Sequence, residues 1–487
     1  MTITFADIPT TLRVPFVGVE FDPSRARTGP AIKVFRALLI GHRTSAGTVA
    51  ELVQKRITGA DQAATWFGKG SMLHHMAEAW FTQNQLVETY AIAQDATGTA
   101  AVHRLAWTGP ASAAGTISLW IGGRLVKVAI ASGRTAIQIA SDVVAAINAD
   151  TTLLVTAAVG STTTWSDLTF RHGGTSGNFL DVRVNFASDE ALPAGVSVVI
   201  TTPTAGATDP DLADVFPAIG DQQFDIIVPG FHDSTGRTAL ATELDARWQG
   251  DAHNDGRAIL GAAGTHGELT TLGNTLNAKH LVIIGANESP TPPWEWAAAL
   301  GSVAARELQA DPALQLKTLE LRGVLAPAET DRFTLAEQNL LLYDGIATWT
   351  ADQAGTVRLG RVITTYQLGT TGQPDPTFLD LTTLTTLSYL KFDTVARFGP
   401  YARHKLAPDG TNFGAGQKVM TPSLGKAVFV NAFQDWEQLG LVTNFDQFRD
   451  DLVAEINTQD PNRLDLLLSP NLINSLIVAG VRMAFIL

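Results

Sequence analysis

Hydrophobic and polar positions change rhythm several times along the 487-residue chain. The first 30 residues alternate in TITFADI and are interrupted by Pro9, Pro15, Pro23 and Pro30, so they read as an extended arm rather than a helix. IKVFRALLIGH (Ile32–His42) is nearly continuous in apolar residues, the pattern of a buried strand. A helix follows from Gly59 through DQAATWFGKGSMLHHMAEAWFTQN, broken at Gly68–Gly70. Further on, FDIIVPGF (Phe224–Phe231), RAILGAAG and HLVIIGA (His280–Ala286) are strand-like, with helical stretches between them and a long helix from Trp294 to Gln309. Strands alternating with helices predict a largely parallel sheet faced by helices.

Residues 97–206 have a different texture. They open on a Gly/Ala/Thr-rich stretch, TGTAAVHRLAWTGPASAAGT, which reads as a linker. TISLWI-GG-RLVKVAI then predicts a hairpin turning at Gly122-Gly123. TAIQIASDVVAAINAD predicts an amphipathic helix with Thr135 and Gln138 as a capping box. LLVTAAV, NFLDVRVNF and VSVVITT are further strands, and the small-residue stretch TPTAGATDPD closes a module that looks inserted into its host. After residue 345, GIATWTADQAGTVRLGRVITTYQL predicts a hairpin at Gly355, PTFLDLTTLTTLSYLKFDTVARF one helix and FDQFRDDLVAEINTQD another. NRLDLLLSP and NLINSLIVAGVRMAFIL are candidate strands. The fold class is therefore multidomain α+β. The expected division is an arm (1–30), the first part of a core (31–96), an inserted β-rich domain (97–206), an α/β domain (207–345), a C-terminal domain (346–480) and a terminal strand (481–487).

Composition sharpens this. Apolar residues at 45% and charged residues at 17% suit a globular chain, and 487 residues exceed what one core supports. With no cysteine, disulfides, thiolate metal sites and cysteine nucleophiles are excluded. MTITFADIPTT lacks the features of a signal peptide and no run reaches the length of a membrane helix, which predicts an intracellular, soluble product without membrane insertion. Residues 207–345 carry 20 acidic and 8 basic residues, nearly all of the net charge of −13, whereas residues 1–45 hold six basic and three acidic ones. Two readings stand: attraction between copies of the chain, or a solvated acidic surface. No dense basic patch interleaves with aromatics, so a nucleic-acid partner is not expected.

The search for chemistry yields little. GAAGTHG (Gly261–Gly267) sits between a strand and a helix but has G-x-x-G-x-x-G spacing without a following GK[ST], so a tight turn is preferred to a phosphate loop. His74 and His75 diverge on a helix and do not share a metal easily. His253, His266 and His280 lie near Asp251 and Asp255 without a spacing that fixes a site. HGGTSG (His172–Gly177) resembles an esterase oxyanion loop, yet no G-x-S-x-G elbow accompanies it. No catalytic, metal or cofactor residues are assigned.

The chain ends on GVRMAFIL, where Val481, Met483, Phe485 and Leu487 alternate onto one apolar face. It is either the last strand of its own domain or an arm given to another sheet. Ile3 and Phe5 alternate similarly near the start.

ALLIGHRTSAGTVAELVQKRITGADQAATWFGKGSMLHHMAEAW (Ala37–Trp80), FDIIVPGFHD, FTLAEQNLLLYDGIATW with VRLGRVITTY (Phe333–Tyr366), VMTPSLGKA and DPNRLDLLL together resemble contractile phage tail sheath proteins of the Mu-like type. The resemblance covers nearly the whole chain; the 97–206 module is its least diagnostic part. It implies a structural subunit forming six-fold rings, stacked helically around an inner tail tube and held extended until the baseplate triggers contraction. The tube is then driven through the host envelope, with no nucleotide or other cofactor. Implied partners are other copies of the chain, the inner tube protein, and baseplate and tail terminator proteins. The implied place is the virion tail, after assembly in the host cytoplasm. It further implies inter-subunit strand arms, here Ile3 and Phe5 at one end and Val481, Met483, Phe485 and Leu487 at the other. The C-terminal helix 446–457, with Asp446, Arg449, Asp450 and Glu455, is expected to face the tube. The alternatives are a sheath of a related contractile injection machine, tailocin or type VI-like, and a hydrolase built on the α/β domain.

Overall fold

The computed structural model describes residues 33–414 and 416–486. They fall into two compact units, 33–392 with 472–486, and 393–471. Ile3, Phe5 and Leu487 lie outside the described residues.

The larger unit is organised by a seven-stranded sheet in the order Ile346–Ala347, Leu281–Ala286, Arg257–Ala263, Ile226–Pro229, Arg36–Gly41, Glu88–Ala93, Lys55–Ile57. Every pairing is parallel except the last, as the continuous apolar runs predict. The helix Pro293–Ala310 packs on four of these strands and on the helix Met72–Phe81. Its small residues permit close approach: a Cβ on Gly301 would lie 2.7 Å from Val228 and 3.1 Å from Trp80. The predicted break at Gly68–Gly70 separates Ala60–Phe67 from Met72–Phe81, and Ser71 caps the second helix.

Residues 102–204 add two antiparallel sheets. One is ordered Ser197–Thr204, Val102–Thr108, Trp165–Phe170, Val155–Val159; the other is Arg124–Ile130, Gly115–Ile121, Val182–Val184. The Gly122-Gly123 hairpin is present, both glycines having positive φ, and the Thr135/Gln138 capping box starts the helix Ala136–Ala149. The expected linker is corrected: Val102–Thr108 is an interior strand whose His103, Leu105 and Trp107 are buried. Its small-residue flanks hid an alternation that survives only inside them.

The hairpin at Gly355 joins Trp349–Ala351 to Val357–Leu359, and the helix Leu381–Phe398 begins in this unit. Thr385 and Thr386 tolerate that helix because their hydroxyls donate to Leu381 O, Thr382 O and Pro312 O.

In the smaller unit the helix Pro422–Gln438 buries Phe429, Phe433 and Trp436, and Phe433 stacks on Phe448 at 4.3 Å. The expected helix 446–457 is shorter than read. Phe445–Asp451 is helical, but Val453–Ile456 forms a hairpin with Leu464–Leu467, so Glu455 stands on a strand. The alternation of Val453, Ala454, Glu455 and Ile456 is satisfied by that partner, which a helix reading of the segment alone does not see.

Candidate assembly surface

The Asn471–Leu472 strand is the last regular element, and residues 473–486 enter neither helix nor strand. The first of them lie over a surface that includes Arg361, Asp380, Thr382 and Thr386, where Lys317 Nζ donates to Leu476 O at 2.6 Å. Beyond that point the side chains are bare: Leu476 is 71% exposed, Val481 85%, Met483 86%, Phe485 79% and Ile486 100%. Among the described residues no backbone hydrogen bond ties 478–486 to the rest of the chain. Both faces of the segment are exposed, not one, and Gly480 marks neither a positive φ nor a bend. Burying each of these side chains contributes about 1.5–3 kcal/mol. The segment thus offers apolar surface and unpaired backbone groups together, the combination that recruits a partner strand.

The expected tube-facing residues are also exposed. Asp446, Arg449 and Asp450 project from Phe445–Asp451, with Arg449 paired to Asp446 at 2.9 Å and to Asp450 at 3.0 Å. Across the adjacent hairpin Glu455 stands opposite Asp465. Asp465 accepts from Asn457 Nδ2 and Arg463 Nε, which hold its carboxyl below the ordinary range. Of the hairpin arginines, Arg361 forms a two-pronged pair with Asp380 while Arg358 is exposed.

Directly over Gly230 at the sheet's switch point and over Gly261 in the GAAGTHG turn, neighbouring groups leave no room for a ligand. The sheet reverses its order between Arg36–Gly41 and Ile226–Pro229, the usual binding crevice. There His42 stacks on Phe231 at 4.4 Å and donates from Nδ1 to Gln94 O, and a Cβ on Gly230 would collide with Met72 at 2.5 Å. Gly261 and Gly264 of GAAGTHG serve packing. A Cβ on Gly261 would lie 1.8 Å from Pro293 O, and Glu268 already occupies the helix start by accepting from Thr265 N. In HGGTSG, His172 accepts from Met72 N, and burial pushes its pKa well down. His280 is buried near Asp245, with its pKa lowered to about 3 by burial and by Arg257. Among the described residues no group of His, Cys, Asp and Glu is placed to hold a metal.

Buried ions serve cohesion instead. Glu295 takes a hydrogen bond from His75 Nδ1 at 3.1 Å and one from Arg124 at 3.2 Å, and Arg124 also pairs with Glu78. Burial pulls the Glu295 pKa upward, but Arg124 and His75 outweigh it and hold the carboxyl below its ordinary value. Asp255 has the same balance: burial raises it, and Lys33 and Arg257 together bring it below.

Comparison with known proteins decides the family of the chain. Residues 205–365 match the phage tail sheath protein central domain and 373–486 the phage tail sheath C-terminal domain. Over 491 residues, spanning 100% of both chains, the protein is 34% identical to the Mu-like prophage FluMu tail sheath protein of Haemophilus influenzae. The chain belongs to the phage tail sheath family.

It is accordingly a structural sheath protein and not an enzyme. Solved sheath structures align with it along most of their length. The sheath tail protein of Desulfitobacterium hafniense is 12% identical, with 94% of this chain and 100% of that one covered and a TM-score of 0.48. The anti-feeding prophage helical sheath in its contracted state is 10% identical, with 98% and 99% covered and a TM-score of 0.49. Both family-domain matches leave out residues 1–204, and the second includes the whole bare segment 473–486 of this sheath subunit.

Proposed function

We propose that this sheath subunit is a contractile one, linked to its neighbours by donated strands. Six subunits form a ring, rings stack helically around an inner tail tube, and contraction drives the tube through the host envelope. The observation that carries this reading is the apolar, hydrogen-bond-hungry segment 478–486 left bare on a subunit of a sheath family. Val481, Met483, Phe485 and Leu487 supply one arm, and Ile3 and Phe5 the other. The acceptor is the hairpin Val453–Ile456/Leu464–Leu467 of another copy, which has two strands only among the described residues and exposes Val453 and Leu467. Asp446, Arg449 and Asp450, with Glu455 beside them, face the tube. Weak, exposed ion pairs there suit a sheath that must slide. Baseplate and tail terminator proteins hold the two ends, and the tail is assembled in the host cytoplasm before it becomes part of the virion.

In this reading residues 1–30 and 481–487 are the connectors and 97–206 an outer module. Residues 31–96 with 207–345 form the body, and 346–480 the inner layer. The test is removal of Val481–Leu487. The truncated chain is expected to keep the unfolding transition of the full chain and to form no striated tubes or stacked rings by negative-stain microscopy. Normal tubes from the truncated chain would overturn the arm. Loss of folding would make the segment part of its own core.

A further inference from the structure

A second feature belongs neither to the arms nor to the ion pairs. Beyond the C-terminal ends of Ile226–Pro229 and Arg257–Ala263 lies a cavity of about 180 Å³, lined by Thr175, Ser176, His232, Arg237, Pro293 and Trp294 among others. At roughly 30 Å³ per water it holds a handful of waters or one small hydrated ion. We propose that this cavity is a binding site for a compact oxyanion of the phosphate type.

Two features point to an acceptor-rich, negatively charged occupant. Trp294 is 2% exposed and its indole N–H has no hydrogen-bond partner, a cost the chain carries unless an acceptor enters. Arg237 donates from Nη1 to His232 Nδ1 at 3.2 Å and to His232 O at 3.1 Å, but its buried Nε–H is unpartnered. Asp233 is the carboxylate that acts on that guanidinium, and burial outweighs it, holding the Arg237 pKa below its ordinary value. The 18-residue helix Pro293–Ala310 also starts at the cavity, but its first turn carries Glu295 and its N–H groups bond Pro292 O, so the helix start adds nothing to the case.

His232 completes the arrangement. Its Nε2 donates to Gly261 O at 2.8 Å, so Nδ1 presents a lone pair to Arg237 and fixes the guanidinium. Burial lowers the His232 pKa to about 4, keeping the ring neutral at physiological pH. The carboxylates that act on His232 are engaged elsewhere: Asp209 accepts from Thr175 N and Oγ1, and Asp233 accepts from Gly236 N. Phe179, Leu272 and Phe231 close the remaining sides, which excludes a bulky polar ligand such as a nucleotide. Because Thr175 and Ser176 come from the 102–204 region and Arg237 and Trp294 from the elements around the parallel sheet, occupancy fastens one to the other.

The experiment is titration calorimetry and thermal unfolding of the purified full-length chain with inorganic phosphate, at ionic strength held constant with sodium chloride. Saturable binding and a phosphate-dependent rise in Tm are expected. Arg237→Gln should weaken binding about tenfold or more, and Trp294→Phe, which removes little beyond the N–H, several-fold. An equal rise in Tm with chloride alone, the absence of saturable binding at millimolar phosphate, or tighter binding of acetate than of phosphate would overturn the assignment. Should Arg237→Gln fail to fold, Trp294→Phe decides, and unchanged affinity in that variant sinks the proposal.

Discussion

The helix Pro293–Ala310 and the segment 473–486 invert the simplest rule of burial. The helix carries Glu295, Arg306 and Glu307, yet almost all of it is buried; the segment carries Arg482 alone among charged residues and stands bare. Apolar content therefore does not rank them. A helix closes its backbone hydrogen bonds internally and can enter a core on every side. A segment without a ladder would take orphaned N–H and C=O groups into the core with it. The segment can be buried only where another strand completes its bonding, and among the described residues 478–486 bond no strand.

Substitutions can break this comparison, beginning with the largest expected effect. Trp296→Ala in the buried helix should cost about 3–5 kcal/mol in denaturant unfolding of the full chain, since Trp296 is 1% exposed and donates to Ser289 Oγ at 2.9 Å. A smaller loss would mean that the helix is less committed to the core than its burial indicates.

Glu295→Gln keeps the shape and removes the charge between His75 and Arg124. It should cost about 1.5–3 kcal/mol, the worth of hydrogen bonds to a charged group. The same carboxyl gives a pH signature. Its folded pKa is depressed, as is that of Asp255, so their contribution is present above the ordinary carboxylate range of roughly 4 and is lost as pH falls through the folded values. Stability should drop on acidification below about pH 4, and Glu295→Gln should flatten that drop. A wild-type profile that the substitution leaves unchanged would remove Glu295 from the account.

The smallest effect on folding is expected at the other pole. Phe485→Ala should shift subunit stability by less than about 0.5 kcal/mol, as exposed substitutions do. The same variant should raise the protein concentration at which tubes first appear by light scattering. If the unfolding midpoint falls by as much as it does for Trp296→Ala, Phe485 is a core residue after all.

Much of the fold was legible before any coordinates. The parallel strands announce themselves as continuous apolar runs, and Thr135 with Gln138 marks a helix start to the residue. What stayed hidden had competing signals. Val102–Thr108 lies between glycine- and alanine-rich flanks, and Trp165–Phe170 follows a run of threonines that suggests a loop. Pro422–Gln438 carries a faint helical signal, with Phe429, Phe433 and Trp436 at helical spacing and Thr421-Pro422 supplying a start, among residues that give no stronger cue. The helix through Phe445–Asp451 reads too long from sequence because a hairpin partner downstream, Leu464–Leu467, decides where it stops. At the assembly surface the apolar alternation of Val481, Met483 and Phe485 was plain from sequence. Its exposure was not, because a strand pattern reads the same whether its sheet lies in its own chain or in another. The anion cavity left no linear trace, since Thr175, Arg237 and Trp294 are far apart in sequence.

The bare segment has a consequence in the language of polymer chemistry. Under the proposed strand donation, a chain with both a donor strand and an acceptor hairpin is an AB monomer: each addition consumes one free end and exposes another. Growth of that kind has no built-in stopping point, because the last subunit is as reactive as the first. On that proposal the length of the sheath would not be set by this sequence but by whatever the growing end meets.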